Sequence, residues 1–202
     1  MTAPRLLVIR HGESIWNADG RWQGQADPPL SPLGERQAEA AAAGVAEPVA
    51  AIWTSDLVRA RRTAELIAGR LGAVPPHPEP RLRERDAGEW SGFTRAEIEA
   101  RWPGALAAGR RPAGWEPDEE LAERALAALH EIGAASVEGS VTLIVTHGGV
   151  IRTVERELGA EPEPVPNLGG RWVVATGAAL ELGERRLLID PDDIEVTVPP
   201  PR

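Results

Sequence analysis

Leu6-Leu7-Val8-Ile9-Arg10-His11-Gly12-Glu13-Ser14 is the stretch on which the reading of this chain turns. A short unbroken apolar run, ending abruptly in polar residues, is the pattern of a parallel strand covered on both faces. The same pattern returns twice. Ala50-Ala51-Ile52-Trp53-Thr54 runs into Ser55-Asp56, and Val141-Thr142-Leu143-Ile144-Val145 runs into Thr146-His147-Gly148-Gly149. Helical patterns fill the intervals. One starts at Ser31-Pro32, with Ser as cap and Pro at the first position, and runs to about Ala46. Others span Leu57 to Arg70, closed near Gly72, then Thr94 to Trp102, then Asp118 to Ala135, with a last one after Gly149. This alternation predicts an α/β fold, a three-layer sandwich with a mostly parallel central sheet and helices on both faces. The four prolines between Ala73 and Pro80 read as an extended crossing or a short strand. Arg171–Thr176, Ala178–Leu182 and Arg186–Ile189 read as terminal short strands, and Pro199 to Arg202 as a frayed end. No linker divides the chain, so residues 1–202 are expected to form a single catalytic domain.

Composition narrows the function. The 202 residues carry 22 basic side chains, all Arg, against 31 acidic ones, a net charge of −9. That balance argues against a general nucleic-acid or anionic-membrane surface. An anionic ligand must then be met by a few locally placed cations. With no Cys there is no disulfide or thiolate zinc site, and with no Lys there is no Schiff base or P-loop lysine. No window approaches ~18 uninterrupted apolar residues, and no signal-peptide pattern opens the chain. A soluble, cytoplasmic protein is the expectation. In open parallel sheets ligands bind beyond the carboxyl ends of the strands. Two of the three strand ends carry a histidine, in a chain with 4 in all.

Arg10-His11-Gly12-Glu13-Ser14-x-x-Asn17 resembles the signature of the histidine phosphatase superfamily, the phosphoglycerate-mutase-like enzymes. Further matches follow in order: Arg21-x-x-Gly24, Leu30-Ser31-Pro32-x-Gly34, Ser55-x-Leu57-x-Arg59-Ala60-x-x-Thr63, Leu82-x-Glu84-x-x-x-Gly88-x-Trp90-x-Gly92, and Thr146-His147-Gly148-Gly149. The resemblance implies that a neutral nitrogen of His11 attacks the phosphorus of a monoester and forms a phosphohistidine, splitting one displacement into two. Arg10 and Arg59 would cradle the phosphoryl oxygens as bidentate forks, and His147 would be a further, cationic, donor. Glu84 would protonate the leaving alkoxide and then, as carboxylate, activate water. Asn17, Gln23, Gly24 and Gly148 complete the implied substrate contacts. Glu13 and Ser14 would buttress Arg10 and His11, and the implied mechanism needs neither metal nor cofactor. The expected ligand is a small phosphorylated metabolite; sugar phosphates, phosphoglycerates, nucleotides and a cobalamin-precursor phosphate all fit. The sequence leaves a homo-oligomer open.

Each assignment has a plainer competitor. Glu84 lies among Arg83, Arg85 and Asp86 and could be a surface ion pair, and Arg59 shares a helix with Arg61 and Arg62. Asn17 could cap a turn. His77 and His130 match nothing and are expected at the surface. The Trp residues are expected in the core, with Trp16, Trp22, Trp90 and Trp115 also candidates to wall the site. Where many relatives carry Gly-Glu-Ser or Gly-Glu-Asp, this chain reads Trp115-Glu116-Pro117-Asp118-Glu119-Glu120, and no role transfers to that segment. The link from Gly92 to Pro117 is shorter than in mutases, with Arg95, Arg101, Arg110 and Arg111 in reach. Hydrolysis is therefore favoured over the alternatives: a phosphoglycerate-mutase-type transfer, a non-catalytic phospho-ligand module, or a metallophosphatase.

Overall fold

Along β1 (Arg5–Arg10) the side chains alternate between two buried faces. Leu7 and Ile9 pack on one side, with the second strand β2 (Val49–Thr54) and the helices α2 (Pro32–Ala41) and α3 (Val58–Leu71). Leu6 and Val8 pack on the other, against α5 (Asp118–Ala135) and α6 (Gly148–Glu157). Two apolar layers are thus built from one strand by its period of two. The computed structural model describes residues 3–177 and 179–198.

The six-stranded sheet runs in the order β3-β2-β4-β1-β5-β6, with β3 at His77–Pro78, β4 at Val141–Thr146, β5 at Gly169–Thr176 and β6 at Ala179–Leu187. The first four are mutually parallel and β5 runs antiparallel to both β1 and β6. The expected α/β sandwich is what forms. Three sequence expectations need correction. The terminal region pairs β5 with β6 as two longer antiparallel strands rather than three short ones, from Gly169 beside Leu187 to Thr176 beside Ala179, with a register shift between Arg171 and Val173; pairing two strands over this length satisfies most of each other's backbone. Ala178 and the Pro199–Arg202 tail lie outside the described residues. The Ala-rich helix α2 stops at Ala41, tightens into a 3-10 turn over Ala42–Gly44 and does not reach Ala46, because Gly44 packs its Cα against the Leu188 backbone, leaving no room for a Cβ. A short helix not foreseen, α1 (Ile15–Ala18), follows β1; Ser14 and Asn17 cap it reciprocally.

Register places the site. Arg10 lies beside Thr146, and Thr54 beside Val145, so β1, β4 and β2 end level with one another. The residues after them, His11, His147 and Ser55, therefore emerge side by side. Beyond this edge sits a small separate cluster in which Trp90, Ile98 and Ala105 are buried against Trp22, Phe93, Trp102, Leu106 and Trp115, around the helix α4 (Arg95–Arg101). Among the described residues no helix is long and apolar enough to cross a membrane.

Candidate active site

His11 is buried directly after β1, and its two ring nitrogens have different partners. Nδ1 lies 2.6 Å from the Gly12 carbonyl oxygen, which can only accept, so this nitrogen carries the proton. Nε2 faces the Nε–H of Arg59 at 3.2 Å and accepts from it. The imidazole is therefore neutral with its lone pair on Nε2. Burial, then Arg59, His147 and Arg10, hold its pKa well below the ordinary histidine value. Gly12 is fixed in turn: its N–H donates to Thr63 Oγ1 at 3.0 Å, and its Cα touches Gly34 so closely that a Cβ would meet the Gly34 carbonyl.

Arg59, in the first turn of α3, is completely buried, whereas Arg61 and Arg62 on the same helix are exposed. Its Nη atoms donate to the carbonyls of Ala26 (2.7 Å) and Gly24 (2.9 Å). Burial pulls its pKa down to about 10, with Glu84 and Asp27 opposing the shift, so it stays cationic at neutral pH. Arg10 reaches the Val165 carbonyl through Nη1 at 2.9 Å.

Glu84 is half-buried, and the arginines on either side of it pair with other carboxylates. Arg83 pairs with Asp56 at 2.5 Å, and Arg85 with Asp118 at 2.6 Å. Glu84 instead accepts the Arg85 N–H at 2.8 Å on Oε1 and the Gly149 N–H, at the start of α6, at 3.0 Å on Oε2. A Cβ on Gly149 would overlap Oε1, so only glycine lets the carboxylate sit on this helix end. The loop that carries Glu84 is tied down by Arg124. All five N–H donors of that guanidinium are used: carbonyls of Arg81 (2.7 Å), Arg83 (2.7 Å) and Glu84 (3.0 Å), and the Glu116 carboxylate at 2.6 and 2.8 Å. The Trp115–Glu120 segment, which departs from the superfamily pattern, thus braces the Glu84 loop through Glu116 and Asp118.

His147 is fully buried with its ring edge-on to His11, centroids 5.1 Å apart, and its Nε2 lies 2.9 Å from Ser55 Oγ. Its cationic state is a correction: burial, then Arg59 and Arg10, push its pKa well below the ordinary value, so it is neutral. Two buried histidines beside two buried arginines cannot all be charged.

A cavity of about 150 Å³ opens over this floor. Of the residues expected at the site, Arg10, His11, Asn17, Gln23, Gly24, Arg59, Glu84 and Gly148 line it, while His147 lies behind His11. Asn17 both caps α1 and faces the cavity. The Glu13 carboxylate accepts from Ser31 Oγ and Thr197 Oγ1. Of the four tryptophans considered, Trp22 and Trp115 wall the cavity and Trp16 and Trp90 do not. His77 and His130 are exposed. Arg21, matched only as part of a motif, and Arg95, available without a fixed place, also line the cavity, as do Arg85, Arg152 and Thr197, to which the sequence assigns no site role; Arg124, likewise unassigned, braces the Glu84 loop. Arg152 had a signal, since it stands one helical turn after Gly148 and shares its face; Thr197 had none. Among the described residues, six arginines and one carboxylate thus line the cavity of a chain whose net charge is −9. It is a local anion site.

A family model described as the histidine phosphatase superfamily (branch 1) matches residues 6–171. The chain belongs to the histidine phosphatase superfamily. It is 39% identical over 196 residues to glucosyl-3-phosphoglycerate phosphatase of Mycolicibacterium vanbaalenii, covering 88% of this chain and 86% of that protein. It is also 34% identical over 178 residues to the 2,3-bisphosphoglycerate-dependent phosphoglycerate mutase of Beijerinckia indica, covering 81% and 85% of the two chains. Among solved structures, mycobacterial glucosyl-3-phosphoglycerate phosphatase complexed with VO3 superposes with a TM-score of 0.80 at 32% identity, covering 90% of this chain and 98% of that one. Phosphatases and mutases of the superfamily therefore both resemble this chain.

Proposed function

We propose that this superfamily member is a cytoplasmic, cofactor-independent phosphatase that hydrolyses monoesters of small phosphorylated metabolites through a phosphohistidine on His11. The observation that carries this reading is the neutral His11, its Nε2 lone pair free of a proton and set beside the Arg59 guanidinium. In the first step Nε2 attacks phosphorus, the phosphorus–ester oxygen bond breaks, and the departing alkoxide takes a proton carried on Glu84. In the second, Glu84 takes a proton from water, the hydroxide oxygen bonds to phosphorus, the N–P bond breaks, and inorganic phosphate leaves. Arg10 and Arg59 stabilise the charge on the transferring group, largely by being already in place. His147, neutral, backs the nucleophile.

Hydrolysis is favoured over mutase transfer by the lid. Of Arg95, Arg101, Arg110 and Arg111, only Arg95 lines the cavity. Arg101 stacks on Phe93 and Trp102, Arg111 stacks on Trp115, and Arg110 donates to the Pro103 carbonyl. That link therefore turns one of its four arginines toward the cavity and holds the other three in contacts of its own. Glucosyl-3-phosphoglycerate, the substrate in the name of the mycobacterial relatives, is the first ester to try. The test is phosphate release from a panel of esters, 3-phosphoglycerate included, in EDTA. Release that survives the chelator supports the reading. Rapid interconversion of 2- and 3-phosphoglycerate without phosphate release contradicts it.

A further inference from the structure

Three successive peptide units carry the nucleophile, and each is gripped at both ends. The Arg10 carbonyl accepts the Leu168 N–H at 3.1 Å, and the His11 N–H donates to the Thr146 carbonyl at 3.0 Å. The His11 carbonyl accepts from Asn167 Nδ2 at 2.7 Å, and the Gly12 N–H donates to Thr63 Oγ1 at 3.0 Å. The Gly12 carbonyl faces His11 Nδ1, and the Glu13 N–H donates to Gln37 Oε1 at 2.8 Å. Gly12 has no side chain to restrict its torsions, so the direction of its carbonyl comes from these outside partners. That carbonyl decides which ring nitrogen of His11 carries the proton.

The Asn167 contact is not the most stable way to fill its space. Pro166 to Gly169 form a turn closed by the Gly169 N–H on the Pro166 carbonyl at 3.0 Å. Its third residue, Leu168, has a φ of 57°, and among the described residues it is the one non-glycine with a positive φ. Turns of this kind favour glycine or asparagine at that place. Here asparagine stands one place earlier, and leucine takes the strained position with its side chain in the core. The order suits contact rather than turn, because Asn167 and Leu168 donate to the neighbouring carbonyls of His11 and Arg10. Asn167 is also completely buried, and its Oδ1 has no hydrogen-bond partner among the described residues. A buried amide with an unpaired acceptor is a poor choice for stability alone. Strain and an unpaired acceptor on adjacent residues mark a place where positioning outweighs stability.

We propose that Asn167 is a positioning residue for the reaction: its amide fixes the His11–Gly12 peptide plane and, through the Gly12 carbonyl, the tautomer and aim of the His11 ring. This rests on His11 being the nucleophile of the phosphatase reading, and the test reads the ring itself as well as turnover. Asn167→Leu keeps the shape and removes the donor. On an ester that the wild type hydrolyses, kcat should fall by about 10- to 100-fold, as for a small misplacement of a reacting group. KM should stay within about threefold, because Arg10 and Arg59 are unaltered. Thr63→Val releases the other end of the same plane, so the double variant should lose little more than the worse single one. Nitrogen NMR of protein labelled in its histidine rings, of which the chain has four, reads the tautomer. His11 should carry its proton on Nδ1 in the wild type and show a mixture in Asn167→Leu, with His77 and His130 unchanged. Wild-type kcat in Asn167→Leu, a rise in KM alone, full additivity with Thr63→Val, or an unaltered His11 ring would each overturn the proposal. Should Asn167→Leu fail to fold, Asn167→Ser is read in the same way. If no ester is hydrolysed, the phosphatase reading fails, and the ring decides alone: a mixture of tautomers upholds the positioning role and an unchanged tautomer refutes it.

Discussion

The floor of the cavity and its wall are built on opposite principles. The floor hangs on the level ends of β1, β2 and β4, so its polar groups inherit the rigidity of a sheet covered on both faces. His11, Arg59 and Glu84 each have identified partners that fix their direction. The wall rests on a small satellite cluster of aromatic rings, Trp22, Trp90, Trp102 and Trp115, joined edge-to-face or tilted at centroid distances of 5.4 to 6.4 Å. Rings in such contacts contribute apolar area without imposing the direction that a hydrogen bond does. The floor is thus suited to a reaction that tolerates little displacement, and the wall to a ligand surface that can vary. Changes in the floor should alter turnover of every ester, and changes in the wall should alter binding.

The largest effect expected tests the floor. Glu84→Gln should slow turnover of an alkyl phosphate by about 10²–10⁴-fold, since the alkoxide departs without its proton. A nitrophenyl phosphate needs no such proton in the first step, but water is still unactivated in the second. It should show a burst of nitrophenol followed by a slow steady state. Uniform, small losses without a burst would remove Glu84 from the chemistry. Next comes Arg124, which is not among the described residues lining the cavity yet holds the Glu84 backbone. Arg124→Met should cut kcat by about 100-fold with KM little changed, as a small misplacement of an acid does. A change confined to KM would show that the brace serves binding instead.

The floor is also the part that was legible in the sequence. Apolar runs stopping at His11, Ser55 and His147 announce parallel strands and their functional ends, because strand termination and ligand placement share one cause. What was hidden needed three dimensions. Glu116 and Arg124 meet only because α5 packs behind the Glu84 loop, and Thr197 reaches Glu13 only because the chain returns across α2. The charge of His147 was misjudged for a related reason. Its cationic state comes from the family resemblance, whereas the fold buries the ring edge-on to His11 and near two arginines. The wall was read least well: tryptophan is apolar enough for core and cavity alike, and spacing alone does not sort Trp16 and Trp90 from Trp22 and Trp115.

Trp115→Ala sharpens the contrast from the side of the wall. It removes one ring from a rim that also stacks Arg85 and Arg111, so KM should rise by about 10-fold or less while kcat changes little. A collapse of kcat equal to that of Glu84→Gln would erase the distinction between the regions.

A further effect is on stability. The folded state holds His11 and His147 at pKa values below the unfolded value of 6.5, so above pH 6.5 both states are neutral and the stability is fully present. As pH falls below that point the unfolded chain takes up protons first. Stability should then drop by about 1.4 kcal/mol per pH unit for each histidine, down to the folded values. Urea unfolding of wild type and His147→Asn between pH 7 and 5 measures it. The variant should lose stability less steeply, and parallel slopes would show that burial does not keep His147 neutral.

The account depends above all on a phosphoryl group bound to His11 Nε2. Glu84→Gln enzyme, mixed with a nitrophenyl phosphate and quenched in alkali within the burst, should carry one acid-labile phosphoryl group, located on His11 by peptide mapping. Wild type should carry far less, and His11→Ala none. Label on a serine, or turnover by His11→Ala, would contradict the account.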